Sequence, residues 1–233
     1  SWLTVVAVCG FFLIADLSFV GANVVKFVDG GWLPLLIGAI VFVIMSTWST
    51  GQRLLQSVSQ ERSIPLDVFV ASLARNPPIR IRGTGVFLAR EGEGVPLVLL
   101  HHLKHNQVLH ECIVLLTILT AEVPVVCEED RTSAESMELG FHRVTGRFGF
   151  MEEPDVPLIL RLAAERGLPI DFDRTTYYLG RTTLVPHGER KTKRMSAIRL
   201  MLYTFLKRND RSASLYFDMP PNRVVELGTR VEL

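Results

Sequence analysis

Nearly all of the chain's charged residues follow two long apolar runs. The first, residues 2–25, reads WLTVVAVCGFFLIADLSFVGANVV and carries Asp16 as its one charge. As a helix it would reach ~36 Å, enough to cross a hydrocarbon core of ~30 Å with some tilt. A short turn, 26–31, holds Lys26 and Asp29. The second run, 32–48, is bounded by Trp32 and Trp48, the pattern of an interfacial aromatic belt. Its apolar length is near the lower limit of ~17 residues, so 49–55 is expected to carry the helix into the headgroups. Pro34 falls in the first turn, where a missing N–H costs little. Buried helices of a soluble core can also be apolar all round. Two such runs back to back, each long enough to span, point instead to a transmembrane hairpin.

Beyond Arg53 the pattern changes to alternating strand and helix signals. Residues 56–78 read as a connector, with Leu66, Val68, Phe69, Val70 and Leu73 able to pack a short helix or strand. Residues 81–89 predict a strand interrupted by Gly83 and Gly85, and Pro96 opens a helix reaching about His105. The run ECIVLLTIL at 111–119 predicts a strand covered on both faces, with 123–127 continuing it past Pro124. Residues 137–150 predict an extended ribbon or hairpin bending at Gly146 and Gly149. Asp155 offers an N-cap for a helix over 156–166 closed by Gly167. A strand follows at 175–181. An amphipathic helix is expected over 192–208, with Met195, Ile198, Met201, Leu202 and Phe205 on one face, and residues 224–233 are extended. The sum is a mixed α/β domain over 79–233, large enough for its own core.

Composition sharpens this division. The 233 residues are 48% hydrophobic and 21% charged, an excess of apolar residues that sits almost wholly before Trp48. A net charge of +1 argues against nucleic acid as a partner. Cys9, Cys112 and Cys127 are an odd count without framework spacing, so no disulfide scaffold is implied and a reducing compartment fits. Arg53, Arg62, Arg75, Arg80 and Arg82 follow the second run, against Lys26 alone in the turn, which places the α/β domain in the cytoplasm. Any preceding spans should then be even in number. The chain opens at Ser1 in mid-hydrophobic run, without a basic leader or cleavage site, and is expected to extend upstream.

Candidate chemistry is sparse. Asp16 inside a span costs on the order of 2.5–3.5 kcal/mol on insertion scales, so it needs a partner or a proton. It reads either as a proton-linked group facing a helix bundle or, preferred here, as a structural carboxyl bonded to a neighbouring helix. Asn23 is the second intramembrane polar group, and Lys26, Trp32, Trp48 and Arg53 are interface anchors. Gly21, Ala22, Gly38 and Ala39 would allow close helix approach. His101 and His105, with His102 and His110 nearby, have metal-compatible spacing but no zincin Glu and no Cys pair, and are expected on the surface. Gly83–Thr84–Gly85 does not open a helix and makes a poor phosphate loop. The basic run Arg190, Lys191, Lys193 and Arg194 is a solvated helix start, or a contact for anionic lipid or a nucleotide. No nucleophile stands beside a base as an elbow or triad would place it, so no enzyme is expected.

The hairpin string, with Asp16, Phe19, Ala22–Asn23, Lys26, Gly30–Gly31–Trp32, Pro34–Leu35, Met45 and Thr47–Trp48, resembles the last two spans of bacterial Kup-type (KUP/HAK/KT) potassium permeases. VPLVLLHHLKHNQVLHE, RVTGRFGFMEEPDVP, TYYLGR and PPNRVVELGTRVEL resemble that family's tail, so the likeness covers essentially the whole chain. It implies the C-terminal part of a multi-pass inner-membrane transporter of LeuT-like fold that imports K⁺ with H⁺. The ion site would lie upstream among broken helices, outside this sequence. No cofactor or metal is implied beyond the transported ions. The implied partners are the bilayer, the upstream transmembrane core and a second copy in a homodimer. The tail would be structural, dimerising or regulatory, and the alternative is a membrane-anchored domain that binds a nucleotide.

Overall fold

The computed structural model describes residues 2–24, 27, 30–61, 64–90, 92, 94–185, 195–209 and 217–232. Lys26 and the run Arg190, Lys191, Lys193 and Arg194 lie outside the described residues. The chain divides into two units, Ser1–Gln52 with Met195–Tyr203, and Arg53–Arg194 with Thr204–Leu233.

The first unit holds α1 (Trp2–Val24) and most of α2 (Trp32–Glu61). Two stretches of these helices, Trp2–Val24 and Trp32–Ser57, are long and apolar enough to cross a membrane. No residue of α1 is buried, and Phe11, Phe12, Ile14, Leu17 and Phe19 are all exposed. Water would not tolerate so continuous an apolar surface, whereas lipid would. The few hydroxyls are absorbed locally: Ser18 donates to the Ile14 carbonyl at 2.8 Å and Ser46 to the Val43 carbonyl at 3.1 Å. Helix α2 runs well past Trp48, because Gly51 is the lone helix breaker between Trp48 and Glu61 and its open side is filled by a ring from elsewhere in the unit.

In the second unit, the expected connector takes the helical of its two readings: α2 continues to Glu61 and α3 spans Leu66–Arg75, burying Leu66, Phe69, Val70 and Leu73 but not Val68. Then follow β1 (Ile79–Leu88), α4 (Leu97–Asn106), β2 (Val108–Ala121), the short α5 (Glu128–Arg131), β3 (Thr132–Ser136), β4 (Phe141–Gly149), α6 (Val156–Glu165), β5 (Thr175–Val185), α7 (Ala197–Arg208) and β6 (Val224–Glu232). Helix α7 begins in the first unit. The six described strands form one sheet in the order β3-β4-β2-β1-β5-β6, parallel except for the antiparallel edge strand β3.

Strand parity sends alternate residues to two cores. Val86, Val114, Leu116, Val144, Phe148, Tyr177 and Leu179 meet Val156, Ile159, Leu160 and Ala163 of α6. Phe87, Ile113, Leu115, Phe141 and Tyr178 meet Leu66, Phe69, Val70 and Leu73 of α3 and Val98 and Leu99 of α4. The continuous apolar run of β2 is therefore buried on both faces, as its composition implies.

Helix α6 starts where expected, with the Asp155 carboxylate accepting from the Leu158 N–H at 2.8 Å, and Gly167 beyond its end has φ 97°. Three expectations need correction. Residues 123–127 do not extend β2, which stops at Ala121 before a run of bends. Gly146 is not a bend: it lies within β4, and a Cβ there would stand 2.7 Å from Ile159 Cγ1, so glycine lets α6 press onto the strand. The hairpin is real but lies earlier, pairing β3 with β4 around a turn at Glu138–Gly140.

Candidate functional site

Parallel strands gather their carboxyl ends along one side of a sheet, where open α/β folds commonly bind ligands. In register there, Leu115 faces Arg143, Thr117 faces Thr145 and Leu119 faces Arg147. These residues share the sheet face that carries Phe141 and α3; Leu115 is buried against α3, and Leu66 at the start of α3 joins the lining. With Arg90, Gly92 and Gly94 of the turn after β1, they line a crevice of about 400 Å³. Among the described residues its lining has three guanidinium groups and two hydroxyls and no carboxylate, a donor set matched to a phosphate-bearing anion. Arg143 also approaches Glu135 at 3.8 Å across β3 and β4, an exposed and weak pair. Glu91 and Glu93 of the same turn lie outside the described residues.

Loop residues between β2 and α5 are pinned to the end of β4 by one carboxylate. Glu152 accepts from Arg131 Nη2 at 2.6 Å, from the Gly149 N–H at 2.6 Å and from the Val126 N–H at 3.1 Å. The Arg131 hydrogen bond, followed by that from Gly149, pulls the Glu152 pKa down to about 2. Arg131 in turn donates to the Val126 carbonyl at 2.8 Å and lies 5.4 Å over the Phe148 ring.

The histidines are not all superficial. His102 and His110 are buried, with ring centroids 6.0 Å apart, beside the stacked Phe87–Tyr178 pair. His102 Nδ1 bonds the Asn106 amide at 3.0 Å, while His102 Nε2 and His110 Nδ1 lack hydrogen-bond partners. Burial, and then the neighbouring His102, push the His110 pKa down to about 4; burial lowers His102 as well. Their apolar surroundings keep both rings neutral, so they serve packing rather than proton exchange. The signal for His102 lay in the spacing: it follows Leu99 by three positions, on the inner face of α4. Among the described residues no cluster of three His, Cys, Asp or Glu could hold a metal.

At the opposite, amino ends of the strands a second crevice of about 310 Å³ is lined by Arg82, Thr84, Glu111, His142, Asp171 and Arg174 among others. Its charges are mixed. Gly83 in it has φ 109°, and a Cβ would lie 2.5 Å from the Arg174 carbonyl oxygen. Gly83 thus serves a close backbone crossing and Gly85 leaves room for the His110 ring, so the pair has packing roles rather than that of a phosphate loop.

In the first unit, Asp16 stands on the exposed surface of α1, and the Asn23 amide donates to the Phe19 carbonyl one turn back at 2.9 Å. Trp32 is exposed, whereas Trp48 is half-buried, 5.7 Å from the ring of Tyr203 on α7. Arg199 Nε donates to Thr47 Oγ1 at 3.2 Å, and Arg199 Nη2 reaches Thr50 Oγ1 at 3.4 Å and Ser46 Oγ at 3.5 Å. Gly51 leaves room for Tyr203: a Cβ would fall 2.3 Å from the ring.

Residues 1–53 match the family described as K⁺ potassium transporter integral membrane domain, and residues 82–233 match K⁺ potassium transporter C-terminal domain. A "Probable potassium transport system protein Kup" of Myxococcus xanthus is 47% identical over 234 residues, covering 100% of this chain and 35% of the relative. "Probable potassium transport system protein Kup 1" of Chromobacterium violaceum is 51% identical over 235 residues, covering 100% of this chain and 36% of the relative. A "Probable potassium transport system protein Kup" of an Azoarcus species is 48% identical over 222 residues, 95% of this chain and 34% of the relative. The chain thus spans about a third of the length of these curated relatives, and no solved structure matches it. Two lipid-length helices joined to a parallel α/β sheet, each portion matching the corresponding half of one family description, establish that this chain belongs to the Kup-type potassium transporter family.

Proposed function

We propose that the chain is the C-terminal part of a secondary transporter that carries K⁺ into the cytoplasm together with H⁺. The observation that carries this reading is the full-length likeness to proteins named as potassium transport systems, spanning both hairpin and tail. The hairpin would flank an upstream LeuT-like core that holds the ion path, as the resemblance to Kup-type permeases implies. The α/β domain would lie in the cytoplasm of a multi-pass inner-membrane protein, on the side favoured by Arg53, Arg75, Arg80 and Arg82. It would act as a structural, dimerising or regulatory tail rather than as an enzyme.

The test is growth on limiting potassium of cells stripped of their own uptake systems. The protein with its upstream spans should restore growth and the present chain alone should not; rescue by the chain alone would overturn the reading. In the same assay, Asp16→Asn should leave proton-coupled uptake within about twofold of the parent, as expected for a structural carboxyl. Loss of transport at normal membrane levels would instead make Asp16 part of the proton path.

A second reading concerns the tail alone. The lining with Arg90, Arg143 and Arg147, which holds no carboxylate among its described residues, supports a nucleotide or related phosphate ligand that regulates the transporter. Titration of the full chain in detergent with adenine and guanine nucleotides should raise its thermal midpoint, and Arg143→Glu with Arg147→Glu should abolish the rise. Flat curves for the parent protein would remove this reading and leave the first intact.

A further inference from the structure

Of the apolar face of α7, Ile198 is 82% exposed, Met201 78% and Phe205 64%, while Leu202 and, just before the helix, Met195 are half-buried. The buried side chain is Tyr203, on the opposite side of the helix, with half-buried Arg199 one turn before it. These two make the seat against α2 described above, through Thr47, Thr50 and the space over Gly51. The stripe is therefore turned away from α2, with nothing of the described chain covering it.

The depth of that seat can be estimated along α2. A hydrocarbon core is filled by about 20 helical residues, which from Trp32 reach about Gly51. Ser46, Thr47, Thr50 and Gly51 then stand where acyl chains give way to headgroups, the level suited to Trp48 and Tyr203. A helix held there with an apolar face outward is in the surroundings such a face requires. Its charge pattern agrees: Lys207 and Arg208 close the helix, and Arg190, Lys191, Lys193 and Arg194 precede it in sequence.

We propose that α7 is an interfacial helix of the leaflet at which α2 ends, its Ile198–Met201–Phe205 stripe inserted among lipids and its flanking basic residues meeting anionic headgroups. Short amphipathic helices bind such surfaces through apolar area and basic charge together. Arg199 and Tyr203 supply what a free helix lacks, a fixed attachment to a membrane span. The insertion requires only that α2 spans the bilayer.

The test uses the full chain with Cys9, Cys112 and Cys127 replaced by serine, reconstituted in vesicles of phosphatidylethanolamine and phosphatidylglycerol. A bimane probe is attached at Ile198→Cys or Met201→Cys, and at Ser133→Cys on exposed β3 as reference. Brominated lipid should quench the two α7 probes at least about threefold more than the reference, and aqueous iodide should do the reverse. In phosphatidylcholine alone the lipid quenching should fall; constant quenching would overturn the role given to anionic headgroups. Iodide quenching equal to the reference would put the stripe in water and overturn the proposal. Protection from both quenchers would also overturn it, since a second copy or another protein segment would then cover the stripe. Both labelled positions are exposed, so loss of fold does not confuse the result.

Discussion

Replacing Glu152 by alanine is expected to lower the stability of the α/β domain by about 3 kcal/mol, the scale of breaking a largely buried, hydrogen-bonded charge pair. The loss exceeds that of a surface ion pair because three donors converge on one carboxylate. Arg131 and Glu152 keep only 11% and 17% of their side-chain surface exposed. Without the carboxylate, Arg131 retains the Val126 carbonyl and the Phe148 ring but no counter-charge, and the Gly149 and Val126 N–H groups lose their acceptor. Glu152→Gln should cost less, since its amide oxygen still accepts. The pH dependence is specific. A carboxyl held at about 2 in the folded domain, against about 4.5 unfolded, contributes fully above pH ~4.5 and loses its contribution as pH falls toward 2. Denaturant melts followed by far-UV circular dichroism should show that slope in the parent and not in Glu152→Gln. All three tryptophans, Trp2, Trp32 and Trp48, lie in the first unit, so their fluorescence does not report on this domain.

A second acid-labile element lies at higher pH. His110 ordinarily titrates near 6.5 but is held to about 4 by burial and by His102, so the unfolded chain takes up a proton that the folded domain refuses. The associated stability is fully present above pH ~6.5 and is lost as pH falls through 4, about 3 kcal/mol as an upper value. His102 and His142 are shifted in the same direction by burial and should steepen the slope. In His110→Leu the slope of stability against pH between 6.5 and 4 should flatten, whatever the variant's absolute stability. An unchanged slope would mean that the imidazole is already protonated inside the fold.

Much of the architecture was legible where a local pattern controls the outcome. The two lipid-length helices follow from the long apolar runs 2–25 and 32–48, α6 from the Asp155 cap and the glycine at 167, and β2 from an unbroken apolar run. What escaped depends on partners distant in sequence. Strand β3 reads TSAES, polar and short, and is a strand because β4 offers it an edge. The arginine crevice was foreshadowed by the alternation Arg143, Thr145, Arg147, which fixes one face of a strand. Which residues would oppose that face depends on the parallel pairing with β2 and on the turn that brings Arg90 there. For α7 the sequence shows an apolar stripe but not which way it faces. Hydrophobic periodicity cannot tell a protein core from a bilayer, and a guanidinium with three hydroxyl partners can turn a helix around.

The strand order has a consequence for how the domain is made. Strand β1, first in sequence, occupies an inner position, and β2 and then β4 add on one side of it, β5 and then β6 on the other. During translation each emerging strand finds an edge already waiting, except β3, which must hold until β4 follows it. The sheet can therefore grow outward from its seed as the ribosome moves, without reopening pairs already formed.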